Sequence, residues 1–211
     1  MRTIFCHVEE PSMEATLESL LPRLINGRAE RKIINHGSKS QLLKNMPERL
    51  QGYRNMARSM DLGILVLVDR DIGDCVELKK TLERMAEKIG LSTKSNPAPD
   101  GLFLVVNRVV VEELEAWFLG DVAAIRAAYP RIPESLAKKQ GFRDPDGIKG
   151  GTWEALHREM KKAGYCNDRF PKLGVARNIA PHMDTEVNNS ASFRIFRRGL
   201  EALLSQPTTK K

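Results

Sequence analysis

The sequence predicts an α/β protein: a mainly parallel four-stranded sheet flanked by helices, with a basic, mostly helical C-terminal extension. Three observations carry this. Short β-branched apolar runs alternate with longer stretches whose apolar residues recur at helical spacing. The run Leu62–Val68 is apolar throughout apart from Gly63, as expected of a strand buried on both faces of a parallel sheet. Charge divides the chain: residues 1–130 balance 18 Lys+Arg against 18 Asp+Glu, whereas residues 131–211 hold 16 against 9. The formal net charge of +7 therefore belongs to the last portion. This sets the expected division, an α/β domain over 1–130 and a helical extension over 131–211 packed on it.

Residues 2–8 (RTIFCHV) read as the first strand and end at Glu9 and Glu10. Pro11 and Ser12 then open a helix with Leu17, Leu20, Leu21, Leu24 and Ile25 on one stripe. Arg31–Asn35 is the second strand. The following His36-Gly37-Ser38-Lys39-Ser40 lacks the earlier glycine of a phosphate loop, which rejects a nucleotide triphosphatase. Lys39 still offers a cation at a glycine-loosened helix start. A helix follows through Leu42, Met46, Leu50, Tyr53 and Met56, with Pro47 expected to restart it.

The third strand, Leu62–Val68, turns abruptly acidic at Asp69, Asp71 and Asp74. Val76–Ile89 is amphipathic, Gly90 stops it, and Ser92–Gly101 is a polar loop. Leu102–Val106 resumes as the fourth strand, with Val109–Val111 prolonging it or leading out. Glu112, Glu113 and Glu115 precede one helix containing Trp117, Phe118, Leu119, Ala123 and Ile125. Further helices are expected at Thr152–Ala163, Phe170–Met183 and Ala191–Leu204. His157 and His182 read as packing or surface residues rather than ligands.

Open α/β sheets bind ligands at the carboxyl ends of their strands. Glu9 or Glu10 after strand one and Asp69 and Asp71 after strand three fall at that edge, and carboxylate pairs grip hard divalent cations through oxygen. Each has an ordinary alternative. Asp71 can cap the next helix, and Asp74 or the Glu112–Glu115 acids can simply favour the positive end of a helix dipole. A basic tail beside an acidic edge suits a polyanion held near a metal, although a solubilising surface is the commoner meaning of modest basicity. Three scattered cysteines provide neither a disulfide framework nor a zinc cluster. The apolar start is too short for a signal peptide and no apolar run reaches membrane-spanning length, so the expected compartment is the cytoplasm.

A glutamate after strand one and Asp-x-Asp after strand three resemble the Toprim fold, a Rossmann-like metal-binding module of topoisomerases, primases and overcoming-lysogenization-defect nucleases. The segments HVEEPSMEATLESLLPRL, HGSKSQLLKNMPERLQGY, LVLVDRDIGDC, ELEAWFLGD, IAPHMD and SFRIFRRGLEAL resemble the Toprim-like bacterial family known as domain of unknown function 4276. That resemblance implies a metal held by Glu9, Asp69 and Asp71. Toprim proteins usually carry Gly after the first glutamate, where this chain has Glu10; motif position favours Glu9. No tyrosine stands in a nucleophile context.

On this basis Mg²⁺ or Mn²⁺ is the expected cofactor, with Glu115 and Asp74 as candidates to complete a second ion site and Lys39 to stabilise transition-state charge. The expected activity is metal-dependent phosphodiester hydrolysis of nucleic acid, DNA ahead of RNA. Resemblance further implies an ATPase partner and a role in phage defence, and a homodimer is compatible with it. The alternatives are a non-catalytic module binding nucleic acid or a partner protein and, more remotely, a receiver-like regulatory domain.

Overall fold

The computed structural model describes residues 1–70, 75–110, 113–166 and 168–208. Four strands, β1 (Arg2–Val8), β2 (Ala29–Asn35), β3 (Leu62–Asp69) and β4 (Val105–Val110), pair in the order β2-β1-β3-β4, and every pairing is parallel. The helices α1 (Pro11–Ile25), α2 (Lys39–Met56) and α3 (Cys75–Lys88) connect them. Each crossover returns the chain to the same end of the sheet, so all four strands finish at one rim.

Strand alternation divides the core in two. Ile4, Cys6, Val8, Leu65, Leu67, Val106 and Val110 face α1 and the C-terminal helices. Phe5, Ile64, Val66, Val68 and Val105 face α2 and α3. Every residue of β1 and β3 is buried, which explains their nearly unbroken apolar sequences. On α1, Met13, Leu17, Leu20, Leu21 and Ile25 are buried. Each contributes about 1.5–3 kcal/mol on leaving water.

After β4 the chain forms α4 (Glu115–Leu119), α5 (Val122–Ala128), α6 (Thr152–Lys162), α7 (Lys172–Ile179) and α8 (Ala191–Leu204), with short 3₁₀ turns between. One buried cluster extends from Ile4 to Leu203, so residues 131–211 share a core with residues 1–130. Helix α8 lies on β3 and β4. Glycine permits that closeness from both sides. A Cβ at Gly63 would come within 2.9 Å of Ile4 and 3.3 Å of Leu203, and one at Gly199 within 2.9 Å of Val106. Trp117 stacks on Phe196 at 4.7 Å between centroids and donates its indole N–H to Ser192 Oγ at 3.0 Å. Arg2 pairs with Asp61 at 2.8 Å and bonds the carbonyls of Leu203, Gln206 and Pro207, tying β1 to the end of α8.

Several expected boundaries move. The fourth strand begins at Val105, three residues later than expected: Phe103 N–H bonds the Gln206 side chain, and Leu104 N–H bonds Ser92 O while its carbonyl accepts Ile64 N–H of β3. Pro47 does not restart α2. The helix runs unbroken from Lys39 to Met56 with Pro47 on its exposed side. The single helix expected over 115–125 is two, because Asp121 caps α5 through Ala124 N–H while its other oxygen accepts Asp184 N–H. The helix expected over 170–183 is α7 followed by a 3₁₀ turn at Ala180–His182. Among the described residues, no helix is long and apolar enough to cross a membrane.

Candidate functional site

Because β1 and β3 are neighbours, Glu9 and Asp69 leave the sheet side by side. Glu9 Oε1 accepts the Asp69 backbone N–H at 2.7 Å, a contact spanning 60 residues of chain. Both residues are buried. Asp69 Oδ1 has no hydrogen-bond partner, an expensive state for a carboxylate inside a protein. Burial holds the Asp69 carboxyl well above its usual range, and the charges of Glu9, Glu10 and Glu115 push it the same way.

Glu115 enters this rim from the first turn of α4 and is 1 % exposed, with neither carboxylate oxygen hydrogen-bonded. Burial pushes its pKa up to about 7; Lys172 pulls against that, while Glu113 and Glu10 add to it. Such a group exchanges its proton near neutrality. Glu113 itself faces the start of α6, accepting Thr152 Oγ1 and Trp153 N–H at 3.2 Å each. Glu10 is half-buried, and its carboxylate accepts the Ser12 hydroxyl.

Lys39, at the first position of α2, reaches the same rim and donates to Arg70 O at 3.4 Å. Asp71 and Asp74 lie outside the described residues, as does Glu112. Glu9, Asp69, Glu115 and Lys39 are therefore gathered at the carboxyl edge of the sheet. Among the described residues, no three carboxylate, His or Cys groups stand close enough to hold a metal ion by themselves.

Lys172, missed by the sequence reading, is a second cation of this rim. It opens α7, and its Nζ lies 3.9 Å from Glu113 Oε1. Burial opposes its charge, yet Glu115, Glu10, Glu113 and Asp69 together raise its pKa. Nothing local marks it, since it is one of many lysines in the basic portion and α7 is brought over by packing on α1.

A polar chain beside the rim was also missed. His7, fully buried on β1, places Nδ1 2.9 Å from His36 Nε2 and Nε2 2.9 Å from Tyr53 OH. His36 Nδ1 faces Asn45 Nδ2 at 3.3 Å. With the Asn45 amide in that orientation, each imidazole accepts at Nδ1 and donates from Nε2, passing hydrogen bonds from Asn45 to Tyr53. Burial lowers the His7 pKa to about 3, with His36 and Arg49 adding to the effect. The pairing of His7 on β1 with His36, the residue after β2, became visible only once the two strands were in register. His157, by contrast, packs on Phe170 and hydrogen-bonds Cys166 O at 2.8 Å, and His182 is exposed.

The family model described as Domain of unknown function (DUF4276) matches residues 8–201. The chain belongs to DUF4276. The match spans β1 to α8, so this DUF4276 fold includes both the rim and the helices that close over it. Among solved structures, the C-terminal region of the Burkholderia pseudomallei OLD protein is similar at 17 % identity, covering 96 % of this chain and 98 % of that one, with a TM-score of 0.45. A search of the curated proteins found no match.

Proposed function

We propose that this DUF4276 protein is a divalent-metal-dependent phosphodiesterase acting on nucleic acid, DNA ahead of RNA. The observation that carries the proposal is the convergence of Glu9, Asp69 and Glu115 at one sheet edge, with Asp69 Oδ1 and both Glu115 oxygens buried and unpartnered. Groups in that state call for a cation or for protons. The donors are all oxygen, which suits Mg²⁺ or Mn²⁺ over softer metals. Glu9 and Asp69 would hold the ion together with Asp71, which lies outside the described residues, and Glu115 and Asp74 would complete a second ion site. A bound ion would polarise the phosphodiester and supply a water nucleophile at neutral pH.

The chain's own groups have separate tasks. Glu9 fixes the end of β3 through the Asp69 N–H, and Glu115 is suited to hold or release a proton near pH 7. Lys172 and Lys39 offer positive charge to phosphate oxygens, and the excess Lys and Arg of residues 131–211 holds the polyanion backbone. Control by an ATPase partner and a role in phage defence complete the proposal on the strength of resemblance, with a homodimer compatible with it and a cytoplasmic location proposed from the short apolar start and the scattered cysteines.

The test is incubation of the purified protein with plasmid and single-stranded DNA in Mg²⁺, Mn²⁺ or chelator, alongside Asp69→Asn. Ion-dependent cleavage that disappears in the variant is expected. Cleavage surviving chelator or Asp69→Asn overturns the assignment.

One observation favours a second reading, a non-catalytic binding module. Lys172 already brings a positive charge to Glu113, Glu115 and Asp69, the neutralisation an ion would otherwise provide. Nucleic-acid binding that is salt-dependent, indifferent to Mg²⁺ and unaccompanied by turnover would establish that reading instead.

A further inference from the structure

Lys172 faces two ways. One side is the acidic rim; the other is a cavity of 680 Å³ lined by Trp153, His157, Phe170, Arg169, Asp168 and Lys172 itself. Three of these are aromatic rings in mutual contact, Trp153 to Phe170 at 5.9 Å and His157 to Phe170 at 5.5 Å between centroids. Lys172 Nζ lies 5.8 Å from the centre of the Trp153 ring and 3.9 Å from Glu113 Oε1. Trp153 packs against the core without being buried by it, whereas the chain's other tryptophan, Trp117, is 0 % exposed.

We propose that this cavity binds an unpaired nucleobase, so that the substrate at the neighbouring rim is single-stranded or locally unpaired. The inference rests on the phosphodiesterase reading and names its substrate class. An aromatic surface offers a stacking face to any base, and adjacent cations hold the phosphates on either side of it. Arg169 and Lys172 supply two such cations against the single carboxylate of Asp168. Lys172 spans from the Trp153 ring to the rim, so a phosphate it holds next to a stacked base lies beside Glu115 and Asp69. Bases inside a duplex have both faces covered by their neighbours and cannot enter without being unpaired and unstacked.

The experiment uses the full chain in chelator, so that binding is read without turnover. Three fluorescein-labelled probes of equal charge are titrated by anisotropy: a 15-nucleotide oligothymidylate, an abasic oligomer of the same length and a hairpin duplex. Quenching of intrinsic tryptophan fluorescence is followed with unlabelled probes; because Trp117 is buried, it reports on Trp153. The expected result is a preference for oligothymidylate over the abasic oligomer, with strong quenching only by the former. Trp153→Leu should weaken oligothymidylate binding about tenfold and remove the preference, and Trp153→Phe should retain most of it.

Affinity within twofold of wild type in Trp153→Leu, or equal quenching by the abasic oligomer, overturns the inference. So does a Trp153→Leu variant whose thermal midpoint collapses and which loses all three probes alike, since the ring then serves the fold. Absence of binding to every probe overturns both this inference and the nucleic-acid reading. Trp153-dependent binding by a protein that never cleaves would sink hydrolysis while supporting the base site.

Discussion

Glu115→Gln should make the metal-free protein more stable above neutral pH and leave it nearly unchanged at pH 5. In the folded chain the Glu115 pKa is about 7, against an ordinary 4.5. The folded state therefore holds a proton that the unfolded state has released over that interval, and stability falls as pH rises through it. At 1.36 kcal/mol per pKa unit, ionised Glu115 costs the wild-type fold about 3 kcal/mol at pH 8. A buried neutral amide avoids this cost, and the attraction of Lys172 is already contained in the pKa of about 7. The net gain is about 3 kcal/mol, or roughly 6–12 °C in Tm for a chain of this size. Thermal and urea unfolding at pH 5 and pH 8 in chelator measure it. Added Mg²⁺ should then stabilise wild type at pH 8 and have less effect on the variant. A variant equal to or weaker than wild type at pH 8 in chelator, or a gap of the same size at pH 5, would refute the reasoning.

Lys172→Met removes the charge that opposes protonation of Glu115, so the interval over which stability falls should extend to higher pH; coincident stability–pH curves would count against it. Phe196→Ala empties a fully buried ring site stacked on Trp117 and should cost about 3–5 kcal/mol in urea unfolding. A loss under about 1 kcal/mol would mean that α8 is not part of the core. His7, its pKa lowered to about 3 by burial, must be charged during acid unfolding, and the folded state loses stability as pH falls from 6.5 toward 3. His7→Gln should therefore shift the acid midpoint, followed by circular dichroism, to lower pH, while costing about 1–2 kcal/mol at neutral pH through broken hydrogen bonds.

Much of the architecture was legible in the residues because it depends on local periodicity. Arg2–Val8 and Leu62–Val68 read as strands from short, mainly apolar runs, and Pro11 and Ala191 start helices where the pattern begins. Errors fell where distant groups take over the backbone. Gln206 takes the Phe103 N–H before β4 begins, and Asp184 joins Asp121 in dividing the helix after β4. For the site, Glu9 and Asp69 were readable because a strand followed by an acid places that acid at a known edge.

The sequence by itself determined that carboxylates end two parallel strands and that positive charge is concentrated after residue 130. Only the tertiary structure decided which cation meets them. Lys172 reaches Glu113 and faces Glu115 because α7 packs on α1, and His7 meets His36 because β2 runs beside β1. Those encounters depend on interhelix packing and strand order. Neither is encoded in any local stretch, since both are settled by which buried surfaces fit together once the whole core has formed.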